Sequence, residues 1–307
     1  MSEDQQVKVD GISRMQAYAG IARAPFLLLP VTLVAVGAGA ASYAGDFNWL
    51  HSLIALAGLV ALHVAVNSLN EASDMTTGID LQTKRTPFSG GSGTLPSGAL
   101  SVSTTRLFAY SFAVAGLACG IYFFTIFGRS LLPIAAAGAV LVLFYSSVFA
   151  RSGLGEIAAG LGLGLLPVAG TALVQEGSIP PAAWAASVPA FLMTFNLLLL
   201  NEFPDEEADR AGGRMNLVLI FGRPAAAGIY SGAGLLVPAW IIAMTITGML
   251  PDLALIAVLP SLALLPPVRW AFGDPGEPVP VPALGANVIW NLATNLVLGG
   301  TLFLAGG

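Results

Sequence analysis

The sequence predicts an all-α integral membrane protein, a bundle of nine transmembrane helices around a central cavity. Of its 307 residues, 56% are hydrophobic and only 9% are charged, whereas soluble domains carry about 25% charged residues. The mean hydropathy is +0.81. Apolar runs of about 20 residues recur along the chain, and each is long enough to cross a hydrocarbon core of about 30 Å. An ordinary soluble enzyme, a disordered chain and a coiled coil are therefore excluded.

The nine predicted helices belong to one domain, residues 1–307. Within it, residues 1–24 are predicted to be a cytoplasmic segment ahead of the first helix. Most polar connections are short, but residues 71–106 and 204–223 are too long for simple turns and are predicted to be cytoplasmic active-site loops. The glycines between residues 90 and 98 predict a flexible cap over the cavity. The apolar stretches begin near Pro25, Leu50, Leu107, Leu131, Gly155, Ala182, Ala225, Leu253 and Leu284.

Lysine and arginine are segregated to one side of the membrane when nine spans are assumed. Only Arg129 faces the opposite side, and cytoplasmic connections are enriched in such cations. This predicts a cytoplasmic N-terminus and cytoplasmic active-site loops, with Gly307 on the other side. A signal peptide cleaved after Ala40 is an alternative, disfavoured by acidic residues in the leader. The cations sharing the cytoplasmic side are Lys8, Arg14, Arg23, Lys84, Arg85, Arg106, Arg151, Arg210, Arg214, Arg223 and Arg269.

The cysteine count and the net charge limit the expected partners. Cys119 is the only cysteine in the sequence, so it can form neither an internal disulfide nor a thiolate metal cluster. The net charge of −5 does not suggest nucleic-acid binding. Membrane lipid is the expected surrounding, and nothing in the sequence requires a protein partner.

Polar residues form stripes on three of the predicted helices. Eight of the seventeen acidic residues fall within residues 67–80 and 201–210. Stripes facing lipid would leave polar groups unpaired, so they are predicted to converge on a cavity open to the cytoplasm. On the ninth helix, hydrogen bonding between helices is an open alternative, and for His63 a structural role is favoured. The stripes are His63, Asn67, Asn70 and Asp74; Asn201, Asp205 and Asp209; and Asn287, Asn291 and Asn295.

Two acidic clusters that meet across a cavity repel each other unless a cation lies between them. The Asn-x-x-x-Asp spacing occurs at Asn70 and Asp74 and again at Asn201 and Asp205. Hard oxygen ligands suit Mg²⁺, which usually bridges a few carboxylates to phosphate oxygens. Cations near the same mouth suit an anionic substrate. Together these residues predict a metal-bridged phosphate; the cations are Arg23, Lys84, Arg85, Arg151, Arg214 and Arg223.

The two aspartate motifs resemble those of the UbiA superfamily of intramembrane prenyltransferases, which use Mg²⁺ and a polyprenyl diphosphate to alkylate an acceptor. Similar landmarks are Arg23 to Phe26, the glycine-rich residues 90–98, residues 145–156 and residues 201–222. The resemblance implies catalytic roles for Asp74, Asp205 and Asp209. It implies Mg²⁺ ligation by these aspartates with Asn70 and Asn201. The implied substrate-binding residues are Arg23, Asn67, Asp80, Lys84, Arg85, Tyr145, Arg151 and Arg214.

Within that superfamily, the pattern from Asn70 to Asp80 resembles the 1,4-dihydroxy-2-naphthoate prenyltransferases of menaquinone synthesis. The 4-hydroxybenzoate branch usually has an acid where Gly78 stands, and the missing side chain is expected to widen the cavity mouth for a bicyclic acceptor. Glu71 and Arg214 depart from the usual Asp and Lys. Another aromatic acceptor, such as 4-hydroxybenzoate or homogentisate, is the alternative. A second alternative is an ion-coupled secondary transporter. It is disfavoured because the acidic residues cluster at one face of the membrane, whereas transporter sites lie near the midplane.

Overall fold

The protein is described by a computed structural model that covers residues 13–306. Lys8 and Gly307, which contribute to the predicted orientation, lie outside these described residues. Within them every regular element is helical, so the predicted all-α class is confirmed. The α-helices are α1 (Arg14–Ile21), α2 (Leu28–Tyr43), α3 (Trp49–Thr77), α4 (Ile79–Gln82), α5 (Val102–Phe127), α6 (Leu132–Phe144), α7 (Gly155–Gly160), α8 (Leu166–Glu176), α9 (Pro181–Ala211), α10 (Leu217–Phe221), α11 (Arg223–Ile246), α12 (Leu265–Gly273) and α13 (Val281–Gly306).

Eight helical segments in the described range are long and apolar enough to cross a membrane. The third, Val102–Phe144, has 43 residues; at 1.5 Å per residue it would measure about 65 Å, roughly twice the hydrocarbon core. A 3₁₀ turn, Gly128–Leu131, divides it into α5 and α6. This break, which carries Arg129, is where the predicted third and fourth helices meet. The count of nine crossings stays a prediction.

The two helices that carry the acidic motifs extend further than the sequence predicts. α3 begins behind the Asn48 cap, whose side chain accepts from the His51 amide at 3.1 Å. It continues to Thr77 and ends at Gly78, whose φ of 80° is the left-handed conformation that glycine adopts readily. α9 continues to Ala211 with Pro204 inside it. The first residues of both predicted active-site loops are therefore helical, which holds the acidic side chains on regular helix faces.

The α9 helix lies at the centre of the bundle and packs against α2, α7, α11 and α13. Its side chains Met193 and Leu199 are fully buried, as are Tyr230 of α11 and Trp290 of α13. α2 and α13 approach closely because a glycine on each helix, Gly39 and Gly299, brings backbone against backbone. The tightest packing therefore lies on this side of the bundle, while α3 pairs with α5 on the other.

The polar stripe on α13 does not face the cavity, so its predicted position was wrong; Asn287 instead bonds to neighbouring helices. Tyr230 Oη donates to Asn287 Oδ1 at 3.0 Å, and Asn287 Nδ2 donates to the Asn196 carbonyl at 3.2 Å. Asn295 Nδ2 donates to Asn291 Oδ1 at 3.0 Å. Since these amides bind neighbouring groups within the packed side of the bundle, only α3 and α9 contribute their stripes to a cavity.

Candidate active site

A cavity of about 670 Å³ lies between α3 and α9, with α5, α6 and α8 forming its other walls. This volume is within the usual range of ligand pockets, about 300–1,000 Å³. One end is polar, because the stripes of α3 and α9 meet there; we call it the mouth. The remainder is lined mostly by apolar side chains and glycines, with a few polar side chains such as His63, Thr171 and Thr194. The polar groups at the mouth are Arg23, Asn67, Asn70, Asp74, Asp80, Tyr145, Asn201, Glu202, Asp205, Asp209 and Arg214.

The two acidic motifs meet across the mouth through one guanidinium group. Arg214 Nη2 donates to both carboxylate oxygens of Asp74, at 2.6 and 2.7 Å, and to Asn70 Oδ1 at 2.8 Å. Its Nη1 lies 3.7 Å from Asp209 Oδ1 on the other helix. Arg214 thus supplies a cation between the two clusters, a place where the sequence alone predicted a metal ion.

The charge on Arg214 is secured by its neighbours. Burial by itself would lower the pKa of this guanidinium, but the Asp74 and Asp209 carboxylates outweigh that effect and raise the pKa. The side chains of Arg214, Asp74 and Asp209 are 16%, 8% and 2% exposed, so water screens their attraction weakly. The turn after α9 places the arginine here, because Gly213 adopts a positive φ of 74° and the Arg214 amide bonds the Asp209 carbonyl.

The glycine-rich segment, residues 90–98, is attached to both motif helices. The Gly90 amide donates to Asp205 Oδ2 at 3.2 Å. The Ser92 amide and hydroxyl donate to the two Glu71 oxygens at 2.8 and 2.7 Å. Arg23 Nε lies 3.3 Å from Glu71 Oε1. Glu71, at a position where the superfamily that the motifs resemble usually has Asp, therefore holds the glycine segment and Arg23 in place.

Asp80 is a buried carboxyl group at the mouth. Burial, together with the negative charges of Glu71 and Asp74, raises the pKa of Asp80 to about 7. One of its oxygens, Oδ2, has no hydrogen-bond partner among residues 13–306. A side chain at position 91 would collide with this carboxyl group, at 2.6 Å from Oδ1, so Gly91 gives Asp80 room to face the cavity.

Three of the predicted substrate-binding residues lie outside the cavity. Lys84, Arg85 and Arg151 are exposed, and none of them lines the cavity wall. Arg85 Nη2 instead donates to the Asp80 carbonyl at 3.1 Å, so it supports the chain beside the mouth. Gly78 does not line the cavity either; it ends α3, and a Cβ there would come no nearer than 3.9 Å to Gln82. The expectation that Gly78 widens the mouth was wrong.

Sequence reasoning gave no role to Asn216, Glu156 or Glu202, three buried residues around the Asp209 end of the site. Asn216 Oδ1 accepts from the Leu219 amide at 2.9 Å and caps α10, while its Nδ2 donates to Asp209 Oδ2 at 3.0 Å. Glu156 Oε1 accepts from the Leu217 amide at 2.6 Å. An Asn directly before an apolar run is a helix-start signal, so the cap was readable from the sequence, but its contact with Asp209 was not.

The mouth offers oxygen ligands without forming a complete metal cage. Among the described residues, no group of three or more His, Cys, Asp or Glu side chains is arranged to hold one metal ion. All five predicted ligands nevertheless line the mouth, and Asp205 Oδ1 is buried without a partner in that part of the chain. Carboxylate and amide oxygens suit a hard cation such as Mg²⁺, which takes its remaining ligands from water or phosphate. The donor set therefore fits the ion.

Comparisons with known proteins agree with this architecture. The sequence model of the UbiA prenyltransferase family matches residues 28–291. The chain belongs to the UbiA prenyltransferase family. No curated protein sequence matches this UbiA-family chain.

Solved structures, two of them of UbiA homologues, share the fold at low sequence identity. A homologue from Archaeoglobus fulgidus bound to GPP and Mg²⁺ has a TM-score of 0.67 and 16% identity, covering 94% of this chain and 99% of that one. An apo homologue from Aeropyrum pernix K1 has a TM-score of 0.68 and 19% identity, covering 91% and 98%. A digeranylgeranylglyceryl phosphate synthase has a TM-score of 0.64 and 14% identity, covering 95% and 98%.

Proposed function

We propose that this UbiA-family enzyme transfers a polyprenyl group from its diphosphate to an aromatic acceptor in the membrane, with Mg²⁺ as cofactor. The observation that carries the proposal is one cavity with two chemically different parts. Its mouth gathers Asp74, Asp205 and Asp209 around Arg214, and its depth is apolar. A polyprenyl diphosphate has the same division into an anionic head and a hydrocarbon tail.

The diphosphate would be held at the mouth by metal and guanidinium groups together. Asp74, Asp205 and Asp209 are the proposed Mg²⁺ ligands, with Asn70 and Asn201 beside them; a homologue of similar fold was solved with GPP and Mg²⁺. Bound Mg²⁺ supplies positive charge that stabilises a diphosphate leaving group. Arg214, which now neutralises Asp74 and Asp209, would turn part of its five-donor fork toward phosphate oxygens.

The apolar depth suits the prenyl tail and opens toward lipid. Val114, Leu117 and Leu143 line the cavity, yet they are 65%, 60% and 66% exposed. Large apolar side chains with that exposure in a membrane protein face the hydrocarbon of the bilayer. A tail can therefore enter sideways from the membrane while the head reaches the mouth.

The reaction breaks the bond between the allylic C1 and the diphosphate oxygen, and the diphosphate leaves with the electron pair. An electron-rich ring carbon of the acceptor then bonds to C1. Tyr145 lines the mouth, and burial raises the pKa of its phenol, so the neutral ring can stabilise positive charge at C1. The ring finally loses a proton or, where the attacked carbon carries a carboxylate, carbon dioxide.

For the acceptor we propose 1,4-dihydroxy-2-naphthoate, as in menaquinone synthesis, on the pattern from Asn70 through Asp80. Asp80 supports this proposal because it brings to the mouth a buried carboxyl group whose Oδ2 has no hydrogen-bond partner among the described residues. We further propose that the mouth faces the cytoplasm. The segments that follow the two motifs carry Lys84, Arg85, Arg210 and Arg214, and connections rich in Lys and Arg usually lie on the cytoplasmic side of a membrane.

The test is to incubate the purified protein in detergent with a labelled prenyl diphosphate, Mg²⁺ and separate aromatic acceptors, and to identify products by mass. We expect a prenylated naphthoquinol with loss of carbon dioxide and little turnover of 4-hydroxybenzoate. Activity should vanish in EDTA and return with Mg²⁺. Faster reaction with the benzoate would overturn the acceptor, whereas undiminished transfer after exhaustive chelation would overturn the role of the metal.

A further inference from the structure

His63 is a polar side chain of the cavity that the reaction described above does not use. His63 on α3 lines the cavity and is 4% exposed. Its Nδ1 is buried and has no hydrogen-bond partner among residues 13–306. A buried polar nitrogen without a partner costs free energy, so such a group calls for an explanation.

The surroundings of His63 exclude most partners from the protein itself. On its own helix the neighbouring cavity-lining residues are Leu59, Leu62 and Val66, none of which bears a polar side-chain group. Asn67, one turn nearer the mouth, directs its Nδ2 away from His63, to the Ala22 carbonyl at 3.0 Å, and it does not bond to His63 Nδ1. A prenyl tail is a hydrocarbon and has no hydrogen-bond donor or acceptor for an imidazole. Since no residue in the described range pairs with this nitrogen, its partner is a water molecule or a polar part of another bound molecule.

The position of His63 along α3 indicates which molecule this is. His63 shares one helix face with Asn70 and Asp74 and lies about 10 and 16 Å below them along the axis, on the side of the apolar depth. The diphosphate occupies the level of those two residues under the proposed function. In a productive complex the attacking ring carbon lies about 3–3.5 Å from C1, so the acceptor ring occupies the next level down, between the diphosphate and the apolar wall.

We propose that His63 exchanges a hydrogen bond with a ring hydroxyl of the aromatic acceptor and so orients the ring toward C1. A neutral imidazole carries one donor and one acceptor nitrogen, and a phenolic hydroxyl can pair with either. This inference rests on the proposed function, since it requires a hydroxylated aromatic acceptor. It makes His63 an acceptor-binding residue, distinct from the groups that hold the diphosphate.

The chain's second histidine provides a matched control. His51 is on the same helix and its Nδ1 also lacks a hydrogen-bond partner in the described part of the chain, but it does not line the cavity. It packs against the rings of Tyr122, Phe123 and Phe127 at 6.4, 5.7 and 5.6 Å. His51 therefore packs against rings of the protein, whereas His63 faces the cavity.

The experiment measures steady-state kinetics of His63→Leu, His63→Gln and His51→Leu with geranyl diphosphate as the donor. The acceptors are 1,4-dihydroxy-2-naphthoate and its two monomethyl ethers. We expect His63→Leu to raise the KM for the dihydroxy acceptor about tenfold and to leave the donor KM within about twofold. His63→Gln, which keeps a donor and an acceptor, should recover most of the loss, and His51→Leu should behave like the wild type.

The methyl ethers separate a hydrogen bond from a packing effect. Wild-type enzyme should discriminate against one ether, and His63→Leu should lose that discrimination because the bond to the hydroxyl is already absent. Equal rises in donor and acceptor KM, a Gln variant no better than Leu, or retained discrimination would each overturn the inference. If His63→Leu does not fold, His63→Ala, which also removes both ring nitrogens, takes its place in the comparison of the ethers. If the wild type is active and the His63 variants have the same kinetic constants, only the His63 proposal is refuted. If the wild type is inactive on every aromatic acceptor, the proposed function itself is refuted.

Discussion

Replacing Arg214 by glutamine should make the stability of the protein depend on a divalent cation. In the structure this guanidinium lies 2.6 Å from an Asp74 oxygen and 3.7 Å from an Asp209 oxygen. All three side chains are largely buried, so the substitution leaves two carboxylates facing each other with little water between them. Removing one partner of a buried ion pair typically costs about 3–5 kcal/mol; because the mouth is open at one end, we expect about 3 kcal/mol.

For a chain of this length, that loss corresponds to a fall in Tm of about 5 °C. A hard cation can take the place of the guanidinium charge, and a ligand at about 100 times its Kd returns about 2.7 kcal/mol. We therefore expect the Tm of Arg214→Gln to fall in EDTA and to rise most of the way back in excess Mg²⁺. Thermal unfolding of the purified protein in detergent, followed in both buffers, measures this directly.

Arg210→Gln is the matched control for this experiment. Arg210 pairs with Glu206 at 3.0 Å, but its side chain is 65% exposed, and exposed pairs of this kind contribute about 0.5 kcal/mol or less. Its Tm should barely change in either buffer. If Arg214→Gln in EDTA unfolds at the same temperature as Arg210→Gln, the reasoning about two repelling buried carboxylates is wrong.

Three other predictions concern the acidic mouth, the apolar depth and the orientation. Asp205→Asn should leave the fold intact and reduce the rate of prenyl transfer at saturating Mg²⁺ to less than about a tenth of the wild-type rate. This corresponds to a loss of ~1.4 kcal/mol or more of transition-state stabilisation. A higher residual rate in the product assay would contradict the proposed role of Asp205. A Cβ at Gly138 would meet only open cavity space, so Gly138→Leu should lower kcat/KM for a long polyprenyl diphosphate relative to geranyl diphosphate. The control is Gly232→Leu, at an exposed position outside the cavity, which should leave the ratio of the two kcat/KM values unchanged. If Gly138→Leu gives the same ratio as this control, the prenyl tail does not pass Gly138. A cysteine placed at Arg129 in a cysteine-free background should react with an impermeant reagent only from the non-cytoplasmic side; labelling from the side of Lys84 would contradict the nine-helix orientation.

The sequence by itself determined the class of the protein and the two helices that carry its chemistry. Hydropathy and run length are properties of local segments, so a membrane bundle follows from them without tertiary information. The same holds for the stripe of Asn67, Asn70 and Asp74 and for that of Asn201, Asp205 and Asp209, because helical periodicity places each set on one face. Both stripes do line the cavity, and family membership agrees with the resemblance of the motifs.

Tertiary structure decided which polar groups meet. The stripe of α13 has the same spacing as those of α3 and α9, yet it bonds to Tyr230 and Asn196 because α13 packs on the opposite side of α9. Arg214 enters the site and Arg151 does not, although both lie beside turns that contain glycine. That difference depends on the turn at Gly213, which directs one arginine between two acidic helices that are far apart in the chain. Periodicity orients a side chain on its own helix, but the neighbour that it meets depends on how the helices pack.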